Sequence, residues 1–98
     1  MSSTIASRLR EIREAETNGR HEFSQVTGIS KKTIEGIEQT GRIPRGDVIE
    51  AVCRIWPRYA LWLTTGMVDT EGGQISPEVE RARKELKTQR TVAKSQGK

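Results

Sequence analysis

The sequence predicts an all-α fold, a bundle of five short helices over residues 1–66 followed by a tail that is either helical or disordered. Three observations predict it. Apolar residues make up 33% of the 98 and charged residues 31%, so the core must be lean, and helices fill a lean core more economically than a two-layer sheet. Several windows space their apolar residues by three and four. No window sustains the period-2 alternation of a strand.

The first helix is expected to begin near Ser2 to Thr4, whose hydroxyls can accept from orphan amides, and to run to about Glu16. Ile5, Leu9 and Ile12 then share the inner face, and Arg8, Arg10, Glu11, Arg13 and Glu14 read as a solvated outer one. Thr17-Asn18-Gly19 breaks this helix. A short second helix, from about Arg20 to Thr27, places Phe23 and Val26 inward at a spacing of three. Gly28, lacking Cβ, can take the left-handed conformation that turns the chain, and Ile29 plugs the corner. Ser30 caps a third helix that runs to about Gln39, with Ile34 and Ile37 on its buried side and Gly41 closing it.

A fourth helix is expected after Pro44, with Val48, Ile49, Val52 and Ile55 at core spacing, and Trp56-Pro57 interrupts it. Tyr59, Leu61, Trp62 and Leu63 then supply a closing helix before Gly66. Residues 67–75 turn polar, include Gly72-Gly73 and read as a linker. Ser76-Pro77-Glu78 opens a C-terminal helix within residues 76–98, and Val79, Ala82 and Leu86 give it a narrow apolar stripe suited to a partner chain. From Lys87 to Lys98 there are four basic groups and no acid, the composition of a basic disordered end.

The formal charge of +4 favours a polyanionic partner without identifying it, because the excess is split evenly: ten basic against eight acidic residues in 1–66, and seven against five in 67–98. A single cysteine, Cys53, excludes an internal disulfide and a cysteine-based zinc site, and fits a reducing cytoplasm. The amino terminus lacks the pattern of a signal peptide and no apolar run approaches a membrane span, so a soluble protein without membrane partners is expected. There is no phosphate-cradling loop and no nucleophile-base constellation. Neither enzyme activity nor a cofactor is expected. His21, the only histidine, lies among polar residues and reads as surface, and the Trp56, Tyr59, Trp62 cluster reads as core closure rather than base stacking.

The informative stretch is Glu22 to Glu38, EFSQVTGISKKTIEGIE. Helix, glycine turn, cap and second helix follow at the lengths of a helix-turn-helix, whose second helix is presented to a DNA groove. This stretch resembles the phage repressor-like, or Xre-type, DNA-binding domains, which read as TGIS, two variable residues, TI, two more, and IE followed by a glycine. The resemblance runs from Ile5 to Gly66, about two-thirds of the chain. Two residues depart from the pattern: Ser24 stands where alanine is usual, and Arg20 where glutamine is common.

The resemblance implies that Ser30, Lys31, Lys32 and Thr33 face double-stranded DNA, with Glu35 and Gly36 one turn later. Lysine can donate to guanine O6 and N7, and Glu35 can accept from a cytosine amino group. Gly36 is either a site of close approach to DNA or a merely tolerated glycine. Phosphate contacts are expected from Arg20, Thr33, Arg42 and Arg45, which position rather than specify. The implied function is a transcriptional regulator, a repressor of bacterial or phage origin, that reads an inverted repeat as a homodimer. Its dimer would form through helix five or through the tail stripe. The alternative is a protein-interaction module, antitoxin-like or a phage-encoded adaptor, that holds a protein partner through the scaffold and tail.

Overall fold

The computed structural model describes residues 3–96, with side-chain surroundings for residues 3–88. Within them the chain forms α1 (Ile5–Glu16), α2 (Arg20–Thr27), α3 (Lys31–Thr40), α4 (Gly46–Ile55), a 3-10 turn (Pro57–Tyr59), α5 (Ala60–Thr65) and α6 (Pro77–Gln96). The only sheet-like pairing among the described residues is an antiparallel bridge between Asp69 and Gln74.

Thr4 caps α1 by a reciprocal box: its hydroxyl accepts from the Ser7 amide at 3.1 Å, and Ser7 Oγ accepts from the Thr4 amide at 2.9 Å. Ser2, the earlier candidate cap, lies outside the described residues. Leu9, Ile12, Phe23, Ile34, Ile37, Val52, Tyr59 and Leu63 form the centre of the core, and each is at most 2% exposed. Trp56 and Trp62 are buried as well, and Trp56 stacks on Phe23 with ring centroids 5.7 Å apart and planes 8° apart. The aromatic cluster therefore closes the bundle.

Four expectations are corrected. Arg8 and Arg13, read as part of a solvated face, are buried. Arg8 Nε donates to the Leu63 carbonyl at 2.9 Å, satisfying an orphan acceptor near the end of α5, and its Nη1 donates to the Ser3 carbonyl at 2.7 Å. Val26 and Ile55, expected in the core, are each 43% exposed. Beside Val26 the inward position is filled by Ile29 from beyond the turn, and after Ile55 by Trp56, whose ring enters against Phe23.

Residues 67–75 are also more ordered than a linker. The Asp69 and Gln74 backbones exchange hydrogen bonds at 2.8 Å each, and Asp69 Oδ1 accepts from the Gly72 amide at 3.1 Å. Gln74 then docks this turn onto the bundle, accepting from the Leu61 amide at 2.9 Å and donating to the Pro57 carbonyl at 3.0 Å. Ile75 follows into the core at 2% exposure. Ser76 caps α6, its Oγ accepting from the Val79 amide at 3.2 Å. Val79 is partly buried against the core, which takes it out of the free stripe. The helix continues to Gln96 where a disordered end was expected from Lys87, because no glycine or proline interrupts it after Pro77; residues 97–98 lie outside the described residues.

α6 is also tied to α1. Glu16 Oε1 accepts from Arg58 Nη2 at 2.7 Å and from the Tyr59 hydroxyl at 2.6 Å, while Arg58 Nε lies 3.7 Å from Glu80 Oε2 on α6. Burial, then the Glu16 carboxylate beside it, pushes the Tyr59 phenol well above its ordinary value. Cys53, on α4, packs partly buried against the core, and that burial raises its thiol above its ordinary value.

Candidate nucleic-acid interface

The turn between α2 and α3 is set by Gly28, at φ 79°, whose amide closes α2 on the Ser24 carbonyl at 2.9 Å. Any residue with a Cβ would be strained there. Thr27 fastens the same corner: its hydroxyl donates to the Phe23 carbonyl at 2.7 Å and accepts from the Ile29 amide at 3.2 Å. Ser30 Oγ then accepts from the Thr33 amide at 3.2 Å and starts α3. Ser24, where alanine is usual in the resembled family, is half-buried.

Burial of Ile34 and Ile37, both 1% exposed, fixes the rotation of α3 about its axis. Ser30, Lys31 and Lys32 consequently stand exposed at its amino end, with Thr33, Glu35 and Gly36 at intermediate exposure. No acidic side chain among the described residues pairs with either lysine. A free ammonium on a rigid helix can meet phosphate oxygens or guanine O6 and N7 without first breaking an internal pair.

The other face of α3 is held by a buried ion cluster. Arg13 of α1 grips Glu38 through both carboxylate oxygens, Nε to Oε2 at 2.6 Å and Nη2 to Oε1 at 3.0 Å. Arg20 of α2 donates to the same Oε1 from Nε and Nη2 at 3.2 and 3.1 Å. The Glu38 side chain is 3% exposed. Burial pushes its carboxyl up, but hydrogen bonds and charge from Arg13 and Arg20 outweigh that and hold it below its ordinary value. Three helices thus meet on one carboxylate, which fixes where α3 sits.

Arg20, expected as a phosphate contact, therefore has a structural partner. Its side chain stays 37% exposed, and two guanidiniums sharing one carboxylate leave a net positive charge at this edge. A shallow depression lined by Arg13, Gly19, Arg20, His21, Lys31 and Glu35 joins it to the start of α3. Arg45 lies beyond the far end, exposed, with a loose 3.9 Å pairing to Asp47. Arg42 is exposed in the loop after α3, and its guanidinium lies over Gly36: a β-carbon added at Gly36 would stand 3.4 Å from Arg42 Nη2.

One surface residue was missed. Gln39 is exposed and shares a depression with Lys32, Thr33, Glu35, Gly36 and Arg42. The signal was present, since Gln39 lies seven residues after Lys32 and four after Glu35, on one helical face.

Such an arrangement, in which one helix is clamped from behind and its amino end projects cations from a glycine-hinged pair, is that of a helix-turn-helix, and the chain is similar to phage repressors in sequence and fold. Over 79 residues, 79% of this chain and 80% of the relative, it is 29% identical to Repressor protein C of Escherichia phage P2. It is also similar to the solved structure of Pf6r, from the filamentous phage Pf6 of Pseudomonas aeruginosa PA01, with a TM-score of 0.67 and 29% identity over 86% of this chain and 98% of that one. No family model matches the sequence. Among the described residues no helix is long and apolar enough to cross a membrane, and no group of three or more His, Cys, Asp or Glu residues is placed to hold a metal ion.

Proposed function

We propose that this protein is a sequence-specific DNA-binding transcriptional regulator, a repressor of bacterial or phage origin acting in the cytoplasm, that reads an inverted repeat as a homodimer. Residues 1–66 carry the DNA-binding unit, and residues 67–98 secure it and supply the contact between copies. The observation that carries this reading is the exposed, unpaired Lys31 and Lys32 doublet at the amino end of a helix whose orientation is fixed by Ile34, Ile37 and Glu38. Lys31, Lys32 and Glu35 read base edges in the major groove. Ser30, Thr33, Arg20 and Arg45 hold the phosphates on either side.

Burial of Trp56, Tyr59 and Trp62 leaves helix five without its aromatic surface, and this favours α6 for dimerisation. Leu86, 50% exposed, and the exposed Ala82 are the stripe residues left over once Val79 has joined the core. In the dimer, recognition helices enter successive major grooves about 34 Å apart. Leu86→Arg is expected to give a monomer by sedimentation equilibrium; a variant still dimeric removes α6 from the interface.

Selection of bound sites from a random duplex library tests the whole reading. The expected result is a palindromic consensus recovered by the native protein and lost by the Lys31→Ala/Lys32→Ala double variant. Recovery of the same consensus by both proteins would defeat the recognition surface. Absence of any consensus favours the protein-interaction module, the alternative for which the exposed run 81–88 of α6 is the support.

A further inference from the structure

Arg42 was expected among the phosphate contacts because it lies outside the recognition helix in sequence. Its place in space is different. Gly41, at φ 72°, reverses the chain at the end of α3, and Thr40 fixes the reversal: its hydroxyl donates to the Gly36 carbonyl at 2.7 Å and accepts from the Arg42 amide at 3.3 Å. The loop is thereby tied back to the turn of α3 that contains Gly36. The Arg42 guanidinium lies alongside that turn, with Nη2, Cζ and Nη1 at 3.4, 3.6 and 3.9 Å from where a Gly36 β-carbon would be. Gly36 is four residues after Lys32 on the outward face, and both border the depression that Arg42 completes. No described side chain pairs with the guanidinium.

We infer that Arg42 is a base-reading residue that replaces the missing side chain of Gly36, and that it donates in bidentate fashion to a guanine in the major groove. Gly36 is its seat, a positioning residue rather than a site of DNA approach. This rests on the DNA-binding reading above. A guanidinium lying along the outward face of α3 enters the groove with the helix, whereas a phosphate contact would reach out to its flanks. Its planar fork fits guanine O6 and N7, which a lysine point charge at the same place cannot match in geometry.

The test measures the native protein, Arg42→Ala, Arg42→Lys, Gly36→Ala, Gly36→Leu and the Gly36→Leu/Arg42→Ala pair against the selected consensus. Each is also measured against duplexes substituted one base pair at a time. Arg42→Ala and Arg42→Lys are expected to lose about 10- to 100-fold of the preference at one G·C pair per half-site, with the other positions unchanged. Gly36→Ala keeps that preference, since its methyl makes an ordinary contact. Gly36→Leu occupies the seat and loses preference at the same base pair, and adding Arg42→Ala to it changes that position no further.

Uniform weakening of every duplex by Arg42→Ala, with the salt slope reduced by about one, would make Arg42 a phosphate contact and overturn the inference. Full preference retained by Gly36→Leu would overturn the role of Gly36. A native protein that selects no consensus brings down the DNA reading itself, and this inference with it. A loss at one base pair shared by the Arg42 variants and Gly36→Leu, while Lys31 and Lys32 remain effective, supports both.

Discussion

Two groups of cations flank α3, and they differ in what surrounds them rather than in kind. Behind the helix, Arg13 and Arg20 converge on Glu38, whose side chain is 3% exposed, and the cluster holds three helices together. In front, Lys31, Lys32 and Arg42 are exposed and have no acidic partner among the described residues. The first group is paired inside the protein; the second faces solvent. Net charge merges the two, which is why a modest +4 says little about the interface.

From this division, the rear cluster is expected to control stability and the front one binding. The largest effect is expected from Glu38→Ala, which strands the buried Arg13 and should cost about 3 kcal/mol of unfolding free energy by urea titration. The deficit should depend on pH. Because the Glu38 carboxyl is held below its ordinary value of 4.5, its contribution is complete above that pH and is lost as pH falls through the lower folded value. Native and variant stabilities should therefore converge in acid, and a constant difference down to strongly acid pH would show that the cluster does not stabilise through charge.

Lys31→Ala/Lys32→Ala is expected to do the opposite, lowering consensus affinity by about 100-fold in a gel-shift titration while moving stability by no more than about 0.5 kcal/mol. A comparable loss of stability would erase the contrast between front and rear. Tyr59→Phe is a smaller perturbation. It removes the 2.6 Å hydrogen bond to Glu16 but leaves Arg58 on that carboxylate, so a cost of about 1 kcal/mol with unchanged DNA affinity is expected from parallel melts and titrations. Smallest of all is Ile43→Ser, which alters a side chain 77% exposed in the loop after α3 and should change stability by less than about 0.5 kcal/mol.

The parts legible in sequence are those fixed by neighbours along the chain. Gly28, Ser30 and Gly41 act within a few residues, and each takes the expected turn or cap. Exposure of Lys31 and Lys32 follows from the spacing of Ile34 and Ile37. Arg8 and Arg13 could not be placed that way, because their partners lie 55 and 25 residues further on and only the closed bundle brings them together. A helical period assigns an arginine to the outside by default; a distant carbonyl or carboxylate reverses that. Gly36 shows the same limit, since an apparent defect in α3 becomes a seat only once Gly41 has folded Arg42 back over it.

The docked turn before α6 has a practical corollary for anyone trimming this protein. A cut at Gly66, where the helical bundle nominally stops, would discard Gln74 and Ile75 and leave an open seam beside Leu61. A shortened form that keeps these contacts therefore extends through Glu80, beyond the five helices of the bundle.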